Sequence, residues 1–253
     1  MKHTVTFLPG GISILVEAGT SVLEAMIAAG LHPDAPCGGR GTCGKCRVSI
    51  NGQEVLACRT HVDGDIRVCT SDAKTAKILT AGTGVQITPD GTDQYALAFD
   101  IGTTTVVAYL LDGQTGSLLA QGSCMNPQLR FGADVISRIQ YALKEDGAAM
   151  TACIRTAMEQ LAMETAEKAG ISLNSVTCAA IVGNTAMHHL MLGIDPKPLV
   201  TPPYMPAIFE AQQRGIARIL PNIAGFVGGD TVGCMVSTRF DREEALTLLI
   251  DIG

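Results

Sequence analysis

Residues 36–59 read PCGGRGTCGKCRVSINGQEVLACR, and this stretch decides the architecture of the N-terminal part of the chain. Cys37, Cys43 and Cys46 crowd one glycine-rich loop, and Cys58 follows a strand-length later, in the spacing C-x5-C-x2-C-x11-C. Three thiolates held so closely, with a fourth in reach, read as the ligand set of an iron–sulfur cluster. A structural zinc site also uses short cysteine pairs, but the long first gap and the glycines favour iron and sulfide. Gly38, Gly39, Gly41 and Gly44 can take positive φ without a Cβ clash, so the loop can wrap a small inorganic core. Its freed N–H groups can then point at sulfur and offset negative charge. Cys69 is the alternative to Cys58 as fourth ligand.

Outward from this loop the pattern is that of a small α+β unit. Thr4–Leu8 and Ile12–Val16 alternate in polarity about Pro9-Gly10-Gly11, which predicts a hairpin. Ser21 with Glu24 forms a capping-box signature, opening a helix that carries Val22, Met26 and Ile27 and ends at Gly30. Strands are expected at Arg47–Ile50 and Val55–Ala57, turned by Asn51-Gly52, and at Ile66–Cys69. Strands, a helix, a metal loop and further strands predict a β-grasp arrangement over residues 1–70. Residues 71–93 are turn-rich and read as a linker.

Composition excludes several classes. The 253 residues carry 18 basic against 24 acidic side chains, a net charge of −6, which argues against a nucleic-acid phosphate backbone as partner. Ten aromatics and no tryptophan offer little surface for base stacking. No apolar run is long enough to suggest a membrane span, and MKHTVTFLPGG lacks the apolar core of a signal peptide. Nine cysteines, an odd number, fit a reducing cytoplasm better than an exported disulfide protein.

A second constellation begins at residue 94. Ala96–Ile101 reads as a buried strand ending in Asp100-Ile101-Gly102-Thr103-Thr104-Thr105, with Val106–Leu111 and Ser117–Gln121 as the next strands. Helices are expected at 133–144 and 148–169, then a strand at Val176–Val182 feeding Gly183-Asn184-Thr185 and a helix through Leu192. The run holding Pro196, Pro198, Pro202, Pro203 and Pro206 predicts irregular chain. A helix is expected at Thr231–Arg239 and a buried strand at Thr247–Gly253. Asp100 at the strand end suits Mg²⁺. Gly102 admits close phosphate approach, and Thr103 and Thr104 supply hydroxyl and N–H donors. Gly228-Gly229-Asp230 adds backbone donors at a helix start and a second carboxylate. No Walker A lysine is present. ALAFDIG at 96–102 and TLLIDIG at 247–253 repeat one pattern, as the two halves of a duplicated fold would.

For the remaining reactive residues the plainer reading is favoured. Cys124, Cys153, Cys178 and Cys234 read as packed thiols, and Met150, Met158 and Met163 as helix packing. His188 and His189 read as helix-face or capping groups rather than metal ligands, and Asp134 as a helix N-terminal acid. Asp100 reads as a buried acid in need of a partner.

FDIGTTTVVAYLLD (99–112) resembles the first phosphate motif of the actin-like ATPase and sugar kinase superfamily, whose fold is ribonuclease-H-like. Together with the ferredoxin-type cysteine loop, and with NPQLRFGADVISRI (126–139), GNTAMHHLMLGIDP (183–196) and GFVGGDTVG (225–233), the chain is similar to the reductive activators of corrinoid-dependent methyltransferases. That resemblance implies a 2Fe–2S cluster on Cys37, Cys43, Cys46 and Cys58. It implies ATP and Mg²⁺ facing Asp100, Gly102, Thr103 and Thr104, with Gly228, Gly229 and Asp230 in a further family motif. It also implies a low-potential electron donor and a corrinoid protein as partner and acceptor of one electron; the oligomeric state, a homodimer among the options, is left open. On this resemblance residues 94–253 are the first lobe of the ATPase, and most adenosine contacts come from a second lobe beginning near Ile252-Gly253. The competing functional readings are a non-catalytic 2Fe–2S docking module and, less favoured, a sugar or acyl kinase with an accessory cluster.

Overall fold

The computed structural model describes residues 1–31, 33–35, 37–70, 87–89, 91, 94–145, 147–242, 244 and 246–250. Two compact units emerge, Met1–Ile78 with Leu129–Arg138, and Leu79–Gln128 with Ile139–Gly253. Most of the expected 71–93 linker lies outside the described residues.

The first unit is built on a five-stranded mixed sheet of β1 (Lys2–Leu8), β2 (Ile12–Glu17), β3 (Arg47–Ile50), β4 (Gln53–Leu56) and β5 (Ile66–Cys69), in the order β2-β1-β5-β3-β4. β1 pairs antiparallel with β2 and parallel with β5, as a β-grasp sheet does. Helix α1 (Val22–Ala28) starts at a complete capping box: the Ser21 hydroxyl accepts from the Glu24 N–H, and the Glu24 carboxylate accepts from the Ser21 N–H at 2.9 Å. Val22, Leu23, Ala25 and Met26 turn inward onto Val5, Phe7, Val48 and Val68. Burying such side chains stabilises by about 1.5–3 kcal/mol each before entropy is counted.

The second unit holds a six-stranded sheet of β6 (Tyr95–Ile101), β7 (Thr105–Asp112), β8 (Leu118–Met125), β9 (Val176–Gly183), β10 (Gln212–Arg214) and β11 (Ala217–Ile219), ordered β10-β11-β9-β6-β7-β8. Helices α3 (Ala148–Lys168), α4 (Thr185–Leu192), α5 (Lys197–Val200) and α6 (Gly229–Thr238) complete it, while α2 (Val135–Lys144) is divided, its residues to Arg138 counted with the first unit and the rest with the second. Helix α3 lies against β8, where Gly122 leaves room for Leu161 and Thr165; an added Cβ would sit 2.6 Å from the Thr165 hydroxyl. Asp134 accepts from the Ser137 N–H at 2.8 Å at the start of α2, the helix-start role expected of it. Together the two units give the α+β class read from the sequence.

Three expectations change, and one hairpin is new. The proline run is not wholly irregular, because Pro198 falls in the first turn of α5, where a missing N–H costs nothing. The β10–β11 hairpin that follows has little apolar signal and was not anticipated. Residues 247–250 form no strand, and Leu248 and Ile250 are exposed; a strand needs a neighbouring ladder, and among the described residues none pairs with them. The rest of that expected strand, with the second DIG, lies outside the described residues. Finally, Met163 and Cys234 are exposed rather than packed, whereas Met150 and Met158 are core.

Candidate functional site

Two sites can be built from the residues upward, one in each unit. In the first unit the cysteine loop hangs between α1 and β3. Its turns are tight because Gly38, Gly39, Gly41 and Gly44 all have φ between 62° and 85°, a region that strains side chains bearing Cβ. Cys43 Sγ lies 3.2 Å from Cys37 Sγ. Cys58 stands in the 3-10 turn Ala57–Arg59, tied to the loop by the Ala57 N–H donating to the Cys46 carbonyl at 2.8 Å. Its side chain interacts with that of Cys46, and a Cβ on Gly39 would lie 3.9 Å from Cys58 Cβ. The loop therefore gathers Cys37, Cys43, Cys46 and Cys58. Cys69 is exposed on β5, opposite Leu8 and Ser49 in the ladder.

The electrostatics of this loop favour thiolate at Cys37. Burial alone would raise the Cys37 thiol, but hydrogen bonds from the backbone and thiol of Cys43, and from the N–H groups of Thr42 and Gly41, lower it to about 6. Cys58 moves the other way, to about 11, through burial and then the hydrogen bond and negative charge of Cys46, with Cys37 adding to it. Clustered sulfurs resist ionising together unless cations offset them. Arg40 donates to the Cys37 carbonyl at 2.9 Å and Arg59 to the Gly41 carbonyl at 3.2 Å, bracing the loop from both flanks.

In the second unit the parallel pairing of β6 with β9 sets Asp100 beside Val182 and Ile101 beside Gly183. Both strands thus deliver their following turns to one end of the sheet, the end where open α/β sheets bind ligands. β11 is parallel to β9, and its outgoing chain leads to the start of α6. Gly102 closes its turn by donating its N–H to the Thr105 carbonyl at 2.8 Å. Asn184, the N-cap of α4, accepts from the Met187 N–H and donates its amide to the Thr103 hydroxyl at 3.0 Å. Gly228, the N-cap of α6, rests against the same place: an added Cβ would lie 2.8 Å from Asn184 Cα and closer still to the Thr185 nitrogen. The Asp100 turn, the α4 start and the α6 start therefore converge.

Asp100 is exposed by surface area rather than buried as expected, yet its carboxyl is crowded. Partial desolvation, and then the negative charge of Asp230, raise its pKa above the ordinary carboxylate value. Two carboxylates close enough to repel, beside the N–H donors of the helix starts, could hold a divalent cation with phosphate oxygens. Thr104 is exposed at the tip of the turn.

The sequence reading missed the polar residues that hold this arrangement. Asn126 is fully buried, donating its side-chain amide to the Gly102 carbonyl at 2.8 Å and its backbone N–H to the Thr104 carbonyl at 2.9 Å. Asn126-Pro127 after a strand was the available signal. The histidines of α4 are drawn into the fold's own hydrogen bonds: His189 Nδ1–H donates to the Thr185 carbonyl at 2.7 Å, while its Nε2 accepts from the Ala207 N–H at 3.0 Å. His188 Nδ1 is 2.6 Å from the Asn222 amide. Burial lowers the pKa of both rings.

Residues 95–243, more than half of the chain, match the family described as RACo middle region. The chain belongs to this family. Ahead of its RACo middle region, residues 5–74 match the 2Fe-2S iron-sulfur cluster binding domain, so a 2Fe–2S cluster is the group expected of the first unit. A curated relative of this RACo-type chain, the corrinoid activation enzyme RamQ of Eubacterium limosum, is 36% identical over 174 residues, which span 63% of this chain and 29% of that protein. A solved structure described as a reductive activator for a corrinoid, iron-sulfur protein superimposes with a TM-score of 0.59 at 22% identity, covering 99% of this chain and 60% of the other. That likeness shows a shared fold. No described helix is long and apolar enough to cross a membrane.

Proposed function

We propose that this chain supplies the electron-handling and phosphate-gripping parts of a reductive activator, which passes one electron to an inactivated Co(II) corrinoid and restores Co(I). A 2Fe–2S cluster, when bound, supplies a single reversible electron. Cys37, Cys43, Cys46 and Cys58 would ligate it, since they are the sulfurs the loop brings together. The N–H groups of Gly41, Thr42 and Cys43 would hold the Cys37 sulfur as thiolate. At the other site Asp100, with Asp230, would hold Mg²⁺. Gly102, Thr103 and Thr104, with the N–H groups of Gly228 and Gly229, would grip the phosphates of ATP.

The observation that carries this reading is the pairing, on one chain, of a four-cysteine loop in a 2Fe–2S-type unit with three glycine turns converging beside the carboxylates of Asp100 and Asp230. The names borne by the relatives supply the corrinoid protein as partner. Driving an electron onto a low-potential acceptor is uphill by about 1.4 kcal/mol for each 59 mV, which calls for a low-potential donor. Nucleotide binding can bias such a step by favouring one of two protein states. This chain spans less than a third of the curated relative's length, so the test uses a corrinoid protein and follows the chain's own contribution. Reduction of a Co(II) corrinoid protein is monitored by visible absorption under a low-potential donor, with and without Mg·ATP. Formation of Co(I) that requires both chain and nucleotide supports the proposal, and its absence refutes it. Reduction unaffected by nucleotide, with no heat of ATP binding, would leave a docking module that only transfers electrons.

A further inference from the structure

Cations ring the cysteine loop. Residues 37–59 carry four basic side chains, Arg40, Lys45, Arg47 and Arg59, against a single acid, Glu54, in a chain whose net charge is −6. All four are exposed. Three of them are fastened to the loop's own backbone. Arg40 Nε–H donates to the Cys37 carbonyl at 2.9 Å, Arg47 Nε–H to the Gly44 carbonyl at 3.1 Å, and the Arg59 guanidinium to the Gly41 carbonyl at 3.2 Å. Gly41 leaves the space that Arg59 fills, since a Cβ there would strike its guanidinium. Arg47 also pairs with Glu54 at 2.9 Å; among the described residues Arg40, Lys45 and Arg59 have no carboxylate partner, and Asp34, just ahead of the loop, pairs with none of them. Exposed cations contribute little to folding stability, and four crowded on one loop repel. A guanidinium held by a loop carbonyl is already oriented, so it has less side-chain freedom to lose when an anion arrives.

We propose that this ring is the docking surface for the electron donor, and that the donor is a small protein with an acidic face. The inference rests on the reading that the loop holds a 2Fe–2S cluster, and deepens it. A donor deals with the cluster alone: it is oxidised by one electron as the cluster is reduced by one, and then leaves. Its recognition must therefore be written beside the sulfurs, and beside the sulfurs the chain offers positive charge. Electron-transfer encounters use small interfaces, where a few placed charges set on-rate and orientation more than final affinity. The chain's overall negative charge turns an acidic partner away while the ring draws it in, so approach is steered to the place where transfer occurs.

The test uses the whole, anaerobically loaded chain with an acidic flavodoxin as probe. Binding is measured by calorimetry with both proteins oxidised, where no electron moves. Reduction of the cluster by reduced flavodoxin is followed by stopped-flow absorption, and both measurements are repeated at rising salt. Affinity and second-order rate should fall together as salt screens the charges. Lys45→Glu reverses a charge whose side chain braces nothing in the loop, and should lower both by about tenfold at low salt. Lys2→Glu makes the same change of net charge at the opposite end of the sheet from Arg47, and should move both far less. Equal affinities of parent and Lys45→Glu, or an equal loss with Lys2→Glu, overturn the proposal. A shifted midpoint potential in Lys45→Glu without loss of binding overturns it too, since the ring would then only offset the charge of the sulfurs. Should Lys45→Glu fail to take up iron, the parent decides alone, and an affinity independent of salt refutes the docking surface. A parent that takes up no iron overturns the cluster reading and this inference with it, whereas salt-independent reduction by flavodoxin overturns this inference only.

Discussion

Replacing Gly228 by alanine tests whether the two helix starts meet as closely as described. The backbone there is extended, φ −111° and ψ −163°, so alanine brings no conformational penalty and any effect is steric. The new methyl would stand 2.8 Å from Asn184 Cα, nearly an ångström inside ordinary carbon–carbon contact. Backbone atoms cannot rotate aside, so relief requires the α6 start to move away from α4. Overpacking of this kind costs about 1–3 kcal/mol. In a unit of this size each kcal/mol lowers Tm by about 2–4 °C. A ligand that needs the closed arrangement must recover the same energy, so Mg·ATP should bind more weakly by about fivefold to about a hundredfold. Thermal unfolding and calorimetric titration of the parent and Gly228→Ala provide the readouts. Gly64→Ala is the control, since its methyl meets open space. A Gly228→Ala chain with the parent's Tm and the parent's nucleotide affinity would refute the claimed convergence.

Other expectations concern single groups. Cys37→Ser, Cys43→Ser, Cys46→Ser and Cys58→Ser should each abolish or rearrange the 2Fe–2S resonance, while Cys69→Ser keeps it; loss with Cys69→Ser would assign the fourth ligand to that residue instead. Mg·ATP affinity should weaken on acidification at a pH above the ordinary carboxylate range, because Asp100 titrates above its usual 3.8, and Asp100→Asn should remove that dependence. The buried rings of His188 and His189 have pKa values lowered from 6.5. Their contribution to stability is full above that pH and is lost as pH falls from 6.5 toward the folded-state values, so denaturant midpoints that stay flat over this interval would contradict it. Ser21→Ala removes one half of the α1 capping box and should cost about 1 kcal/mol, read as a lowered urea midpoint of the first unit.

The sequence disclosed the parts governed by local chemistry. The capping box, the Asn51-Gly52 turn and the four-cysteine spacing each name their own geometry, because a cap, a positive φ and a metal loop depend on neighbours in the chain. Asp100, Gly102, Asn184 and Gly228 were legible one at a time as strand ends and helix starts. What their order in the sequence does not contain is the parallel register that sets β6 beside β9 and so places these residues together. Asn126 and Gln128 escaped notice as core residues for a related reason: a buried polar side chain is defined by its distant partners, and no short pattern announces them. Residues 247–250 were misjudged because a continuous apolar run shows only that a buried strand could form, not that a neighbour exists to pair with it.

The matched heights of Asp100 with Val182 and of Ile101 with Gly183 have an evolutionary corollary. Side chains alternate faces along a strand, so inserting or deleting one residue within β6 or β9 would reverse the direction of everything beyond it. Asn184 would then point away from the Thr103 hydroxyl. Length variation among homologous chains should therefore collect in turns at the opposite end of the strands, such as Gly113–Gly116, and spare these two strands, leaving their residue count as a more durable signature than their composition.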